Sequence, residues 1–265
     1  MTASTTFPEK LRKILYKAAA AAFWVAVWQL LYVLVGQDLI VASPRNTALS
    51  LWALGCDEKF WLSVGLSCAR VVAGFLLAVL VGGLLAVLTS RSPLLHTLFA
   101  PLLGVVRATP VASFIMLALI WIATGRLTMF IAFLTVIPIV WQNVQAGILN
   151  VDAQLLEVAR LFRFSRRRTF SLVVLPQVMP YLVSACSMGV GFAWKSAIAA
   201  EIIGRPAASI GRGVYNAKNN LETADLFAWT VAVIALSVLI EKLALWALNR
   251  LARWLSHFRS RGWSK

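Results

Sequence analysis

Long apolar runs constrain this chain more than any other feature. Six stretches, roughly 18–35, 62–88, 98–122, 128–149, 177–200 and 226–248, are almost wholly apolar. A helix needs about 20 such residues to cross a bilayer's hydrocarbon core, so each run is long enough to span. The second is longer than a span requires and is expected to tilt or emerge from the bilayer. The fourth turns polar after Trp141, through Gln142, Asn143 and Gln145, and its membrane part is expected to end there. No barrel-type alternation of apolar and polar residues appears, which leaves helices as the spanning elements. The chain is 60% hydrophobic and 13% charged, whereas soluble domains are about 25% charged. The expected fold class is therefore all-α and integral to the membrane, with six transmembrane helices. The expected organisation is an N-terminal segment 1–17, one transmembrane domain 18–250 and a basic tail 251–265. Lys10, Arg12, Lys13 and Lys17 precede the first run as in a signal peptide. That run is long enough to span and no small-residue cleavage site follows it, so it reads as a retained helix.

Basic residues set the expected orientation. With the N-terminus inside, the inner segments hold 15 Lys and Arg residues and the outer segments and their borders hold 7. Both termini and the 150–171 loop then face the cytoplasm, and the 201–225 loop faces outward. The net charge of +15 could serve nucleic acid, but these residues flank apolar runs rather than forming one patch. Topology and anionic lipid headgroups account for them, and no nucleic-acid partner is expected. Cys56, Cys68 and Cys186 show no CxxC spacing, and His96 and His257 lie far apart. A metal site, a cofactor and a catalytic constellation all lack material. Gly189-x-Gly191 and Gly211-x-Gly213 do not match the G-x-x-x-x-G-K-[ST] phosphate loop, so the chain has no nucleotide site of its own. The small residues around Gly189 favour close helix packing instead.

The 150–171 loop reads NVDAQLLEVARLFRFSRRRTFS. Val151, Leu155, Val158 with Ala159, and Phe162 fall at helical spacing, with Glu157 and Arg160 on the opposite face. Asp152 suits the positive end of a helix dipole. The pattern predicts a short amphipathic cytoplasmic helix followed by the basic run Arg166-Arg167-Arg168. On its own this is equally an interfacial helix lying on anionic lipid.

The residues that follow make the pattern more specific. Glu157-Val158-Ala159, Arg163, and then Val173-Val174-Leu175-Pro176 resemble the Glu-Ala-Ala, Gly, Ile-x-Leu-Pro pattern of permease subunits of binding-protein-dependent ATP-binding-cassette importers. The spacing to Leu-Pro is intact, and Arg163 stands where that family has Gly. Arg70-Val71-Val72-Ala73-Gly74-Phe75, Arg107-Ala108-Thr109-Pro110, the run from Gly191 to Gly204 and Ile210-Gly211-Arg212-Gly213 resemble further elements of the sulfonate, nitrate and taurine branch. The resemblance covers about 60–250. It implies a type I importer permease fold in a bacterial inner membrane, with Glu157, Ala159, Arg160, Arg163, Leu175 and Pro176 coupling the chain to a separate ATPase. It also implies a periplasmic or lipid-anchored substrate-binding protein and a second permease copy as partners. The substrate would be a small anion such as a sulfonate, nitrate or taurine, or a thiamine-precursor-like compound.

Charges inside a span cost about 2.5–3.5 kcal/mol each on insertion scales. Arg70 and Arg107 therefore face protein or a water-filled path. For Arg70 a structural role against backbone carbonyls is the stronger reading. Arg107, beside Pro110, is a candidate for the translocation path or for a structural role beside a broken helix. Lys195 and Glu201 lie six residues apart, about 600° of helix, and so share no face. They and Gly204 are candidates for the path or for an outer gate. The alternative function is a secondary transporter or channel without an ATPase, which usually needs more spans or an internal repeat.

Overall fold

A computed structural model describes residues 9–261. Residues 1–8 and the end of the expected basic tail lie outside the described residues, as do the side chains of 251–261. The helices are α1 (Glu9–Val35), α2 (Pro44–Cys56), α3 (Glu58–Arg91), α4 (Pro93–Ala108), α5 (Val111–Ala118) and α6 (Thr124–Leu149). They continue with α7 (Ala153–Leu161), α8 (Arg166–Thr169), a π-helical turn (Phe170–Val174), α9 (Leu175–Gly204), α10 (Ile210–Asn219) and α11 (Thr223–Arg261). There is no strand among the described residues. Five helical segments are long and apolar enough to cross a membrane, and six if the bent pair α4–α5 is one span.

That pair covers the run expected at 98–122 and breaks it at Pro110, the break considered beside Arg107. The chain turns by 103° between α4 and α5. Pro110 has no N–H and crowds the residue before it out of the helical region; Thr109 accordingly sits at φ −84°, ψ 133°. Its hydroxyl donates back to Val105 O at 2.8 Å and helps satisfy the end of α4. Helix α6 continues to Leu149, and buried Gln145 has an internal partner: its Nε2 and the Trp141 indole N–H both donate to Thr89 Oγ1, at 3.2 and 2.9 Å.

The chain divides into two compact units. One comprises residues 1–60 and 213–232. Within it the Trp28 ring stacks on Phe227 with centroids 5.7 Å apart, and its indole N–H donates to Ala42 O at 3.0 Å. Phe60 packs on Trp229, and a Cβ at Gly213 would collide with the same indole. The 36–61 loop contains α2, which Ser43 caps by accepting from Asn46 N–H at 3.1 Å.

The other unit comprises 61–212 and 233–265, and its core is built on rows of residues four apart. On α6, Thr128, Ala132, Val136, Val140 and Val144 are all buried. On α9 the row is Ala185, Gly189, Ala193, Ala197 and Glu201. On α3 it is Gly74, Ala78, Gly82 and Ala86. Rows at this spacing form the ridges by which helices interdigitate. In an apolar surround, where hydrophobic exclusion does not drive helices together, small residues gain contact by letting backbones approach. The approach here is close. A Cβ on Gly74 would collide with Met129 O and stand 2.9 Å from Ala132 Cβ. One on Gly82 would stand 3.0 Å from Ile137 O, and one on Gly189 3.1 Å from Val136 Cγ1. Meanwhile Leu76, Leu80 and Leu84 on α3 are exposed, as lipid- or partner-facing residues are.

Gly74→Ala is therefore expected to lower the thermal unfolding midpoint of the detergent-purified protein, at a cost of about 1–3 kcal/mol for overpacking. Gly83→Ala, with nothing within 4 Å of its Cβ, should leave the midpoint unchanged or slightly raised. Equal behaviour of the two variants would contradict the close contact of α3 with α6.

Candidate functional site

The residues singled out from the sequence lie on the short helix α7 and the start of α9, at the bend between α4 and α5, and along α9 to its end. Asp152 starts α7, and its carboxylate accepts from Gln154 N–H at 2.8 Å, satisfying one of the helix's free N-terminal donors. At the other end Phe164 N–H donates to Ala159 O and Arg163 N–H to Arg160 O, both at 2.9 Å. This pair of bonds is a Schellman closure, whose turning residue adopts left-handed backbone angles. That residue is Arg163, at φ 49°. The helix thus ends where a glycine pattern would end it, and Arg163 holds the turn at a steric cost of about 1 kcal/mol.

The chain itself covers little of α7. Ala159 is 1% exposed and packed within the chain, but Leu155, Val158, Leu161 and Phe162 are exposed. Glu157, Arg160 and Arg163 are exposed as well. The apolar stripe of α7 is therefore not spent on its own chain. Leu175 and Pro176 are half-buried at the start of α9. Because Pro176 has no N–H to offer four residues back, the preceding turn widens, and Leu175 N–H bonds to Phe170 O five residues before it.

At the other end of the bundle, Glu201 has no solvent exposure. Its carboxylate accepts from Ser67 Oγ at 2.7 and 2.9 Å, from Gly211 N–H at 3.2 Å, from Arg70 Nη1 at 3.4 Å and from Thr128 Oγ1 at 3.5 Å. Ser67 Oγ also accepts from Ile210 N–H at 3.1 Å. The Arg70 guanidinium reaches on to Ala207 O and Ala208 O, each at 3.3 Å. One buried carboxylate thus ties α3, α6, α9 and the start of α10 together. Gly211 must be glycine here, because a Cβ would collide with Glu201. Gly204 is a close-approach site of the same kind, with Leu127 Cδ2 only 2.7 Å from where its Cβ would be. The partner of Glu201 is Arg70, 131 residues away, not Lys195. Lys195, Arg107 and Pro110 are all exposed, the last two at the bend between α4 and α5.

The family profile of the "Binding-protein-dependent transport system inner membrane component" matches residues 74–257. The chain belongs to this family. It is 24% identical over 258 residues to the bicarbonate transport system permease protein CmpB of Synechococcus elongatus, covering 93% of this chain and 91% of that one. It is 25% identical over 236 residues to the nitrate import permease protein NrtB of Leptolyngbya laminosa, covering 84% and 83%. Among solved structures, an amino acid ABC transporter superposes with a TM-score of 0.58 at 18% identity, over 74% of this chain and 92% of that chain. The fold is therefore that of type I ABC importer permeases, and the resemblance to the nitrate-type branch drawn from the sequence holds.

Two long-range contacts of this permease escaped the sequence reading. The Arg70–Glu201 pair joins positions that no spacing rule relates. Gln177 was not singled out, although its side chain reaches from α9 to the start of α7. Each follows from tertiary placement; a charge on α3 and one on α9 were the local signal for the first, and the second had none.

Replacing Glu201 by Met strands the Arg70 guanidinium, Ser67 Oγ and Gly211 N–H, and breaking a buried pair in this way costs about 3–5 kcal/mol. Arg70→Met with Glu201→Met should recover part of that loss, read as thermal unfolding in detergent. Strictly additive losses would contradict direct coupling of the two side chains.

Proposed function

We propose that this permease forms the translocation path of an ATP-driven importer of a small anion, and that α7 is the surface through which a separate ATPase subunit drives it. The observation that carries this reading is the face of α7. Four large apolar side chains, Leu155, Val158, Leu161 and Phe162, stand exposed along α7, with Glu157 and Arg160 exposed on its other side, on a helix whose two ends are fixed by hydrogen bonds. An exposed apolar stripe beside charged residues on a held helix is what a helix-in-groove partner requires. In this reading Glu157, Arg160 and Arg163 fix the register of the docked helix. Ala159 packs α7 onto its own chain, and Leu175 and Pro176 carry the helix into α9.

The relatives named for bicarbonate and nitrate transport support an anionic substrate. Arg107 and Lys195, both exposed, supply positive charge to a path completed by a second copy of the chain. Pro110 shapes that path through the bend at α4–α5. Arg70, Glu201 and Gly204 belong to the gate at its outer end, closing it through the 205–212 loop rather than by touching substrate. The excess of Lys and Arg on the inner segments supports both termini and α7 in the cytoplasm of a bacterial cell, with the basic run after α7 near anionic lipid. A substrate-binding protein, periplasmic or lipid-anchored, would then deliver to the loops at 36–61 and 201–225.

Glu157→Lys tests the docking directly, since an exposed side chain can be reversed in charge without disturbing the fold. Affinity-purified wild-type permease should bring down its ATPase, and the Glu157→Lys protein should retain at least about tenfold less, a loss of about 1.4 kcal/mol in binding. Equal recovery of the ATPase would remove α7 from the interface.

A further inference from the structure

Helix α7 makes few contacts with its own chain. Only Ala159 is buried on it, and Asn150 and Val151, with the N-cap Asp152, link it to α6. A pull or push on α7 therefore reaches the bundle through a small number of bonds, and one of them is made by a side chain. Gln177, one turn into α9, accepts the backbone N–H of Asp152 on its Oε1 at 2.9 Å. Its Nε2 donates to Val173 O at 3.0 Å, within the π-helical turn. Both halves of the amide are used, and a flipped amide would set donor against donor and acceptor against acceptor.

The bond to Asp152 has a recognisable logic. In a capping box, a Glu or Gln three residues into the helix reaches back to the N-cap N–H. Here that position holds Leu155, which cannot do so. The missing acceptor comes from a different helix. The N-terminus of α7 is thus capped twice, by its own Asp152 carboxylate and by Gln177 of α9. Gln177 also sits immediately after Pro176, on the widened turn. A π-turn is a common site of local adjustment within a helix. The same side chain therefore joins the start of α7 to the place where α9 can yield.

We propose that Gln177 is a positioning residue for coupling: it fixes the N-terminus of α7 to the base of α9, so that displacement of α7 is delivered into α9 instead of being absorbed by the 150–151 link. It does not touch the ATPase or the substrate. This inference rests on α7 being the ATPase-docking helix, and the experiment separates the two.

The test uses the full importer, permease with its ATPase and substrate-binding protein, reconstituted in proteoliposomes. Gln177→Met is close to glutamine in length and removes both polar atoms. Gln177→Glu keeps the acceptor for Asp152 N–H. With Gln177→Met the ATPase should co-purify at wild-type stoichiometry while stimulation of ATP hydrolysis by the binding protein falls about fivefold or more. Amide exchange over 150–158 should quicken. Gln177→Glu should restore most of the stimulation and slow the exchange again. Wild-type stimulation in Gln177→Met would overturn the proposal, as would failure of Gln177→Glu to rescue or loss of the ATPase from the Gln177→Met complex. An intact complex with Glu157→Lys would instead count against docking through α7, whatever Gln177 does.

Discussion

A carboxylate with no solvent exposure needs donors on every side, and Glu201 draws them from α3, α6 and the start of α10. This requirement organises one whole end of the bundle. The carboxylate reaches Ser67 on the buried face of α3 and Thr128 in the first turns of α6. Arg70 completes the set and spends its remaining N–H groups on the carbonyls of the 205–212 loop. The loop carries two non-glycine residues at left-handed angles, Arg205 at φ 51° and Ala208 at φ 45°. Such angles persist only where surrounding bonds impose them. The buried pair contributes more to fixing this arrangement than to net stability, since desolvation offsets most of the attraction between buried charges.

Between the ends, the bundle relies on small residues. The rows on α3 and α9 leave α6 in near-backbone contact with both neighbours, and the polar bonds to Thr89 close the other end. Three helices held this closely move together more readily than they bend. The irregular pieces lie at their margins: the break at Thr109–Pro110, the π-turn before α9, and the short capped helix α7. For a permease this division is useful. A stiff core can transmit a displacement, and the margins can receive it from a partner.

Much of this was legible in the sequence, and the reasons are specific. Apolar run length located the spans because a bilayer sets their minimum. The position of α7 followed from Asp152 and from helical spacing at Leu155, Val158 and Ala159. Even the end of α7 was marked, since the residue standing where the family has Gly, Arg163, does adopt the left-handed angle. The burial of α7 was not legible, because periodicity shows which residues share a face and not whether the chain itself covers that face. The sharp bend at Pro110 was only hinted at: proline predicts a break but not its angle. The partners of Glu201 and Gln177 lie on other helices, beyond the reach of any local pattern. The rows of small residues were present at i, i+4 spacing throughout, but only the stretch around Gly189 stood out without knowledge of which helices touch.

The account makes the chain a path without an energy source of its own, opened and closed from outside through α7. Flux into proteoliposomes measures that most directly. Vesicles bathed in labelled nitrate, bicarbonate or taurine would carry either the permease alone or the permease with its ATPase, with ATP enclosed and the binding protein outside. The account predicts no flux above protein-free vesicles from the permease alone under any imposed ion gradient, and ATP-dependent uptake by the complete assembly. Gradient-driven flux through the permease alone would contradict it and establish a secondary transporter or channel instead.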